Sequence, residues 1–336
     1  MHVTAGQIDW AQNFGGAKED NGRGIVADAI GGALITGSFS GTAIFGGQAL
    51  TSHGPSDAFV MRVTSSGDVD WVVQAGGNFS DAGYGIGEDG ANGALVTGSF
   101  DGAQSVVGER DGTHAGAHAH YVPGVDAHFG PHVLRSTGGP DIFVMRVTPT
   151  GTIDWAVQAG GPYHDYGVGV ASNGAGGALV TGYFEGVASF GATTLTSAGG
   201  SDIFVMRVSS IGVIDWAVRS GVASDDRGYG IASDGQEGAF VTGFEASNYV
   251  VVLKATVPLP PPPSLPPPPS PPPPASPPSP PPPSPPSTPP LPPSSPPLPC
   301  PPPPMRPPPP SWPANQPVLP PNPSSPPPSP PPPSPP

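Results

Sequence analysis

Gly93-Ala94-Leu95-Val96-Thr97-Gly98-Ser99-Phe100 decides the fold, because the chain contains it four times. The same pattern appears as Gly32-Ala33-Leu34-Ile35-Thr36-Gly37-Ser38-Phe39, as Gly177-Ala178-Leu179-Val180-Thr181-Gly182-Tyr183-Phe184, and, more loosely, from Gly238. Its second glycines, Gly37, Gly98, Gly182 and Gly243, are spaced 61, 84 and 61 residues apart. Trp10, Trp71, Trp155 and Trp216 repeat the same three intervals. A fixed period of this length marks a repeat architecture, in which each unit buries its apolar face only by stacking on the next.

Working outward from that stretch, every unit offers four short segments with strand character. They are rich in β-branched and aromatic residues and are separated by Gly, Asp, Asn and Ser turns. Segment a is Gly24-Ile25-Val26-Ala27-Asp28 and its counterparts, and segment b is the quoted stretch. Segment c is Asp57-Ala58-Phe59-Val60-Met61-Arg62-Val63, repeated from Asp141 and Asp202, and segment d carries the Asp-Trp pairs at Trp10, Trp71, Trp155 and Trp216. Four strands in about 60 residues describe one propeller blade or one solenoid coil.

The phase of the repeat bears on closure. The chain opens on a lone segment d, runs through three complete units, and ends on a, b and a divergent c at residues 249–254. Pairing of the N-terminal strand with the final three completes a fourth blade and removes the exposed sheet edges. The expected fold is therefore all-β: a β-propeller of four four-stranded blades over residues 1–256, closed by the N-terminal strand on the C-terminal blade. A piece of a larger ring and an open solenoid are the alternatives. Met1-His2-Val3-Thr4 aligns with Met61-Arg62-Val63-Thr64, which favours the larger ring and a start site placed too far downstream.

The run from Gly-x-Ile-Asp-Trp through Ala-Gly-Gly, Asp-x-Gly-Tyr-Gly-Ile, Gly-Ala-Leu-Val-Thr-Gly-Ser-Phe and Asp-Ala-Phe-Val-Met-Arg-Val resembles the SBBP type of β-propeller repeat of bacterial surface and secreted proteins. The likeness spans residues 1 to about 256. It implies a propeller but no shared catalytic motif, so no catalytic residue is carried over. The last unit departs from the pattern, with Tyr249 in place of the Asp of segment c and Val251 in place of its Phe.

Composition changes abruptly at Pro258: 50 of the 56 prolines lie beyond that point. Residues 257–336 have almost nothing apolar to bury and cannot offset their own ordering entropy, so a disordered polyproline II tail is expected. Fully extended at about 3.1 Å per residue, such a tail reaches on the order of 250 Å. Its Ser-Pro blocks resemble those of the hydroxyproline-rich glycoproteins of algal and plant cell walls, which implies hydroxylated, glycosylated prolines and secretion.

Charge and cysteine usage narrow the partners. The net charge is −14, and all 25 acidic residues lie in the repeat region, which repels nucleic acid and anionic lipid. The single cysteine, Cys300, lies in the tail, so the repeats contain no disulfide. No stretch approaches the roughly 18 to 20 apolar residues of a membrane span, and the first residues lack the pattern of a signal peptide. Location reads as extracellular or cell wall if the start is truncated, and otherwise cytoplasmic.

The long interval in the second unit is a 23-residue insertion between segments b and c, placed at about 105–133. It gathers His114, His118, His120, His128 and His132, candidate ligands for Zn, Cu or Ni, although their spacing matches no established metal motif. A polar loop is the plainer reading. Asp20, Asp81, Asp165 and Asp225 precede segment a, and Asp28, Asp89 and Asp234 follow it, positions that suit Ca²⁺ but are also ordinary hairpin residues. The Asp before each Trp, and the Asp opening each segment c with an Arg five residues on, could pair for acid–base work. Their repetition in nearly every unit instead indicates a structural role. No nucleophile elbow, zinc-hydrolase, nucleotide-loop or dinucleotide motif is present, so no enzyme activity and no cofactor are expected. Asn78-Phe79-Ser80 is a glycosylation sequon, relevant only to a secreted chain.

Function then reads as a non-catalytic extracellular or wall-associated protein, its head binding glycan or protein and its tail acting as a stalk. The alternatives are a cytosolic scaffold whose tail recruits SH3, WW or profilin-like domains, and a propeller hydrolase or lyase.

Overall fold

The computed structural model describes residues 2–4, 6–102, 105–107, 119–121, 126–236, 238–246 and 249–256. The chain separates into two units, Met1–Leu265 and Pro266–Pro336, and all of the described residues lie in the first. They form an all-β structure.

The four segments of each unit become neighbouring antiparallel strands in the order a-b-c-d. In unit 1 these are Asp20–Ala27, Ala33–Phe39, Asp57–Val63 and Val69–Gly76; in unit 2 they are Asp81–Glu88, Ala94–Phe100, Asp141–Val147 and Ile153–Ala159. Unit 3 has Tyr166–Ser172, Ala178–Phe190, Thr193–Val208 and Ile214–Ser220, while unit 4 has Arg227–Ser233, Ala239–Glu245 and Tyr249–Ala255. Strand b lies inside its sheet and between sheets, so Ala94–Phe100 is buried along its whole length. That double burial explains why segment b reads as a continuous apolar run and not as an alternation.

The core lies between successive sheets. Leu34 and Val60 of unit 1 face Val96 and Met145 of unit 2. Leu95 and Val144 of unit 2 meet Val180 and Met206 of unit 3, and Leu179 and Val205 of unit 3 meet Val241 and Leu253 of unit 4. The a strands are neighbours in series, unit 1 to unit 4. They approach so closely that a Cβ on Gly85 would lie 2.5 Å from the Val168 carbonyl oxygen, and one on Gly169 the same distance from that of Tyr229. Glycine is required there for lack of space.

The junctions of units 1 and 2 and of units 2 and 3 are each locked by a tryptophan. Trp71 Nε1 donates to the Pro149 carbonyl at 2.9 Å, and Trp155 Nε1 to the Ser210 carbonyl at 3.0 Å, each in the c–d turn of the following unit. The indole lies against Gly151 and Gly212, whose φ values of 78° and 77° shape those turns.

Three expectations are corrected. First, units 1 to 3 carry an additional hairpin between b and c: Thr42–Phe45 with Gln48–Thr51, Asp126–Phe129 with His132–Arg135, and the extended ends of Ala178–Phe190 and Thr193–Val208. Each hairpin also clasps the end of strand d of the preceding unit, as in the pairings Phe129 to Ala75 and Gly160 to Ser189. Buried Phe45, Phe129 and Phe190 anchor the three hairpins edge-on to Phe39, Phe100 and Phe184. The insertion of unit 2 is therefore confined between Gly102 and Asp126, and His128 and His132 belong to the regular hairpin.

Second, the ring does not close. Gln7–Trp10 pairs with His2–Thr4, and no described strand pairs with the free edge of Tyr249–Ala255. The physical reason lies in register: His2 opposes Trp10 with the same bulge that sets Arg62 opposite Trp71. His2–Thr4 thus repeats the end of strand c and occupies the edge that the C-terminal strand would need. Trp10 still docks forward, donating to the Ser65 carbonyl at 2.9 Å and lying against Gly67.

Third, the counterpart of Asp20, Asp81 and Asp165 is Asp226, not Asp225. Asp226 accepts from the Val222 and Ala246 amides as Asp81 does from those of Gly77 and Asp101.

Trp155 is 7% exposed, whereas Trp10 is only partly buried. Trp155→Ala is expected to cost about 3–5 kcal/mol of unfolding free energy in a denaturant titration. Trp155→Phe, which keeps a ring but loses the bond to Ser210, should cost about 1 kcal/mol, and Trp10→Ala less than Trp155→Ala. Equal losses at Trp10 and Trp155 would contradict the interlock.

Candidate functional site

The repeated polar residues turn out to be framework. Arg62 bridges Asp28 at 2.7 Å and Asp70 at 2.6 Å, and Arg146 bridges Asp89 and Asp154 in the same way. The Asp before Trp71, Trp155 and Trp216 therefore pairs with the Arg of strand c, and Asp9 pairs with His2. The Asp that opens strand c serves the neighbouring loop: Asp57 accepts from the His53 amide and from Gln74, and Asp141 from the Thr137 amide.

Of the candidate metal ligands, His114 and His118 lie outside the described residues, as does the side chain of His120, whose backbone pairs with Val106. His128 opposes Val133, and Phe129 opposes His132, so the two histidines sit on opposite faces of their hairpin. His132 Nε2 lies 3.0 Å from the Asp154 carbonyl oxygen. Among the described residues no three His, Cys, Asp or Glu side chains converge as a metal site. Asn78 is exposed in the loop between strand d of unit 1 and strand a of unit 2.

A row of side chains at the start of the a strands breaks the repeat. Gly22-Arg23-Gly24, Gly83-Tyr84-Gly85, Gly167-Val168-Gly169 and Gly228-Tyr229-Gly230 hold the glycines fixed and vary the residue between them. In all four units that residue sits at a register shift between strands a and b, which leaves it outside the regular ladder. The position before each first glycine also varies, giving Tyr166 and Arg227, and its strand b partner gives Ser38, Ser99, Tyr183 and Phe244.

These side chains form a ladder. The Arg23 guanidinium lies 4.9 Å from the Tyr84 ring centre, Tyr84 meets Tyr166 edge-on at 6.2 Å, and Tyr166 meets Tyr183 at 5.1 Å. The Arg227 guanidinium then covers the Tyr183 ring at 4.6 Å, and Tyr229 meets Phe244 at 5.8 Å. Burial first, then the nearby Tyr84, Tyr229 and Glu185, raise the Tyr183 phenol against the pull of Arg227, so it stays a neutral donor. Between units 1 and 2 the ladder opens on a recess of about 320 Å³ lined by Arg23, Ser38, Tyr84, Ser99, Asp101 and Tyr166.

Beneath the ladder lie buried carboxyls. Burial pushes Asp81 well above the usual carboxylate range, with Asp57 and Asp101 adding to the rise against the bonds from the Gly77 and Asp101 amides. Burial likewise raises Asp141 to about 8, helped by Asp165 and Asp101, and raises Asp165 to about 7, helped by Glu185. Aromatic faces, two guanidiniums and hydroxyls suit binding to a hydroxyl-rich ligand.

No family model matches the chain, and no curated protein matches it. A crystal structure of a protein of unknown function from Bacteroides caccae, determined at 1.35 Å resolution, is similar at a TM-score of 0.34 and 13% identity. The match covers 71% of this chain and 61% of that one, so this chain spans about three-fifths of that protein's length.

The raised carboxyls set a pH dependence. Asp141 and Asp165 titrate near 3.8 when unfolded, so across the window up to about 8 the folded state binds more protons and stability falls as pH rises. Two other carboxyls work in the opposite direction. Burial opposes the lowering of Asp28, but the Gly32 amide and Arg62 outweigh it; Asp234 is lowered by the Gln236 amide and by Lys254. Their contribution is lost as pH drops below about 4. The thermal midpoint should therefore peak near pH 4 and decline toward pH 8. A midpoint that is flat or rising over that interval would refute the assignment.

Proposed function

We propose that this chain is a non-catalytic glycan-binding protein of the extracellular space or cell wall. Its propeller-type head carries the site, and its polyproline tail spaces or anchors it. The observation that carries this reading is the ladder from Arg23 to Phe244, built on a row of the repeat framework that differs from unit to unit. The C–H face of a sugar ring is apolar and weakly positive, so it stacks on the negative face of an aromatic ring. The rim hydroxyls and guanidiniums meet its hydroxyl groups.

Charge selects among glycans. With a net charge of −14, the protein repels polyanions at long range, so the ligand is an uncharged saccharide. The tail supports the placement outside the cell, because its Ser-Pro blocks are similar to those of hydroxyproline-rich wall glycoproteins. The repeat's similarity to the SBBP type points to surface and secreted proteins as well.

Calorimetric titration of the full chain with neutral β-linked hexose oligomers, alongside an oligogalacturonate, tests this reading. A neutral oligomer should bind and the oligogalacturonate should not. Tyr84→Ala and Tyr166→Ala should each weaken binding about tenfold, which corresponds to about 1.4 kcal/mol of lost stacking. Tyr84→Phe should retain most of the affinity. Absence of binding to every neutral oligomer, or affinity unchanged in both alanine variants, would overturn it.

A further inference from the structure

Side-chain size along the ladder is uneven, and the unevenness makes the recess. Strand pairing sets Asn21 opposite Ser38, Ala82 opposite Ser99, Tyr166 opposite Tyr183 and Arg227 opposite Phe244. Units 3 and 4 thus fill these places with rings and a guanidinium, and the Arg227 guanidinium covers Tyr183 at 4.6 Å. Between units 1 and 2 the same places hold Ser38, Ala82 and Ser99, and the space left over is the recess of about 320 Å³. Ligand cavities run from roughly 300 to 1,000 Å³, so this one takes a single small ring and not a chain.

Its lining is polar and incompletely paired. Ser38 and Ser99 are only 6% and 5% exposed. The Ser38 hydroxyl makes no hydrogen bond to a described residue, and the Ser99 hydroxyl reaches only the Tyr84 phenol, at 3.4 Å. A buried hydroxyl without a partner is costly, so the site is completed by a ligand group that both donates and accepts. No carboxylate among the described residues pairs with Arg23, whose guanidinium lies over the Tyr84 ring. Asp81, also in the lining, is fully buried, and both of its carboxyl oxygens are occupied, Oδ2 by the Gly77 amide and Oδ1 by that of Asp101. The contacts on offer are therefore hydroxyl to hydroxyl and guanidinium to hydroxyl, beside the Tyr84 and Tyr166 rings.

The rest of the ladder works differently. The rings from Tyr183 to Phe244 offer apolar faces, which stack on one pyranose much as on another. Hydrogen bonds in a recess of fixed shape discriminate, because a misplaced hydroxyl leaves a buried partner unpaired.

We infer that the recess between units 1 and 2 is a one-ring subsite that selects the sugar. It seats a single hexose by its hydroxyl groups, with Ser38, Ser99 and Arg23 as the selecting residues, while the ladder toward unit 4 holds the remainder of a longer ligand. The inference rests on the glycan reading and adds to it which part of the site decides the identity of the ligand.

Titration of the full chain with free glucose, galactose and mannose, followed by nuclear magnetic resonance, tests it. One hexose should bind with a dissociation constant on the order of 1 mM, as expected for a ligand of about a dozen heavy atoms, and at least one of the others roughly tenfold more weakly. Ser38→Val, which puts methyl groups into the recess, should remove hexose binding. Should that variant fail to fold, Arg23→Ala reads the same site and should weaken the hexose about fivefold, the loss of one hydrogen bond. Tyr229→Ala, whose ring contacts Phe244 and does not line the recess, should leave hexose affinity unchanged and lower only that for a β-linked oligomer. Oligomer binding without binding of any single hexose, equal affinity for all three, hexose binding that survives both Ser38→Val and Arg23→Ala, or its loss in Tyr229→Ala would overturn the inference and leave the glycan reading standing. Failure of every hexose and every oligomer to bind would overturn both.

Discussion

The contact between one sheet and the next is the constraint on which the rest of the structure depends. A single unit has an apolar face on each side and cannot satisfy both alone, so its stability is borrowed from its neighbours. Trp71 and Trp155 make that dependence specific by reaching out of one unit and bonding to a turn carbonyl in the next, with glycine beneath the ring. The b–c hairpins repeat the logic on the outer side, where Phe129 of unit 2 pairs with Ala75 of unit 1. Loss of one junction is felt by two units.

The rigidity of that framework allows it to carry a variable row. Glycines hold the a strands at a spacing no side chain permits, and the residues between them stand clear of the ladder, free to differ. Arg23, Tyr84, Val168 and Tyr229 occupy one place in the repeat with differing chemistry, whereas the Arg–Asp bridges at the opposite ends of the strands are the same in units 1 and 2 and reduce to Arg207–Asp215 in unit 3. Function on a repeat protein is expected where repetition stops, and along this row it stops in every unit.

Much of the fold was legible in the sequence because it is written four times. The intervals between tryptophans and glycines located strands a to d, and the continuous apolar run of segment b anticipated its burial on both faces. The hairpins were missed because each presents only two or three buried residues, such as Ala43 and Phe45, and because the insertion disguised the copy in unit 2. Closure was misjudged because counting strands does not reveal that His2–Thr4 competes with the end of strand c for one edge. Asp225 was taken for Asp226 because two adjacent carboxylates satisfy the same spacing. The ladder was missed for a different reason: comparison of units emphasises what repeats, and the signal was the variation between fixed glycines.

Native-state hydrogen exchange tests the account most directly. If stability passes from unit to unit, the amides of Ala94–Phe100 and Ala178–Phe190 should exchange slowest, and those of Ala239–Glu245, with an uncovered face, measurably faster. Equal protection in all four b strands would mean that the array unfolds as one block, and would contradict a structure held together junction by junction.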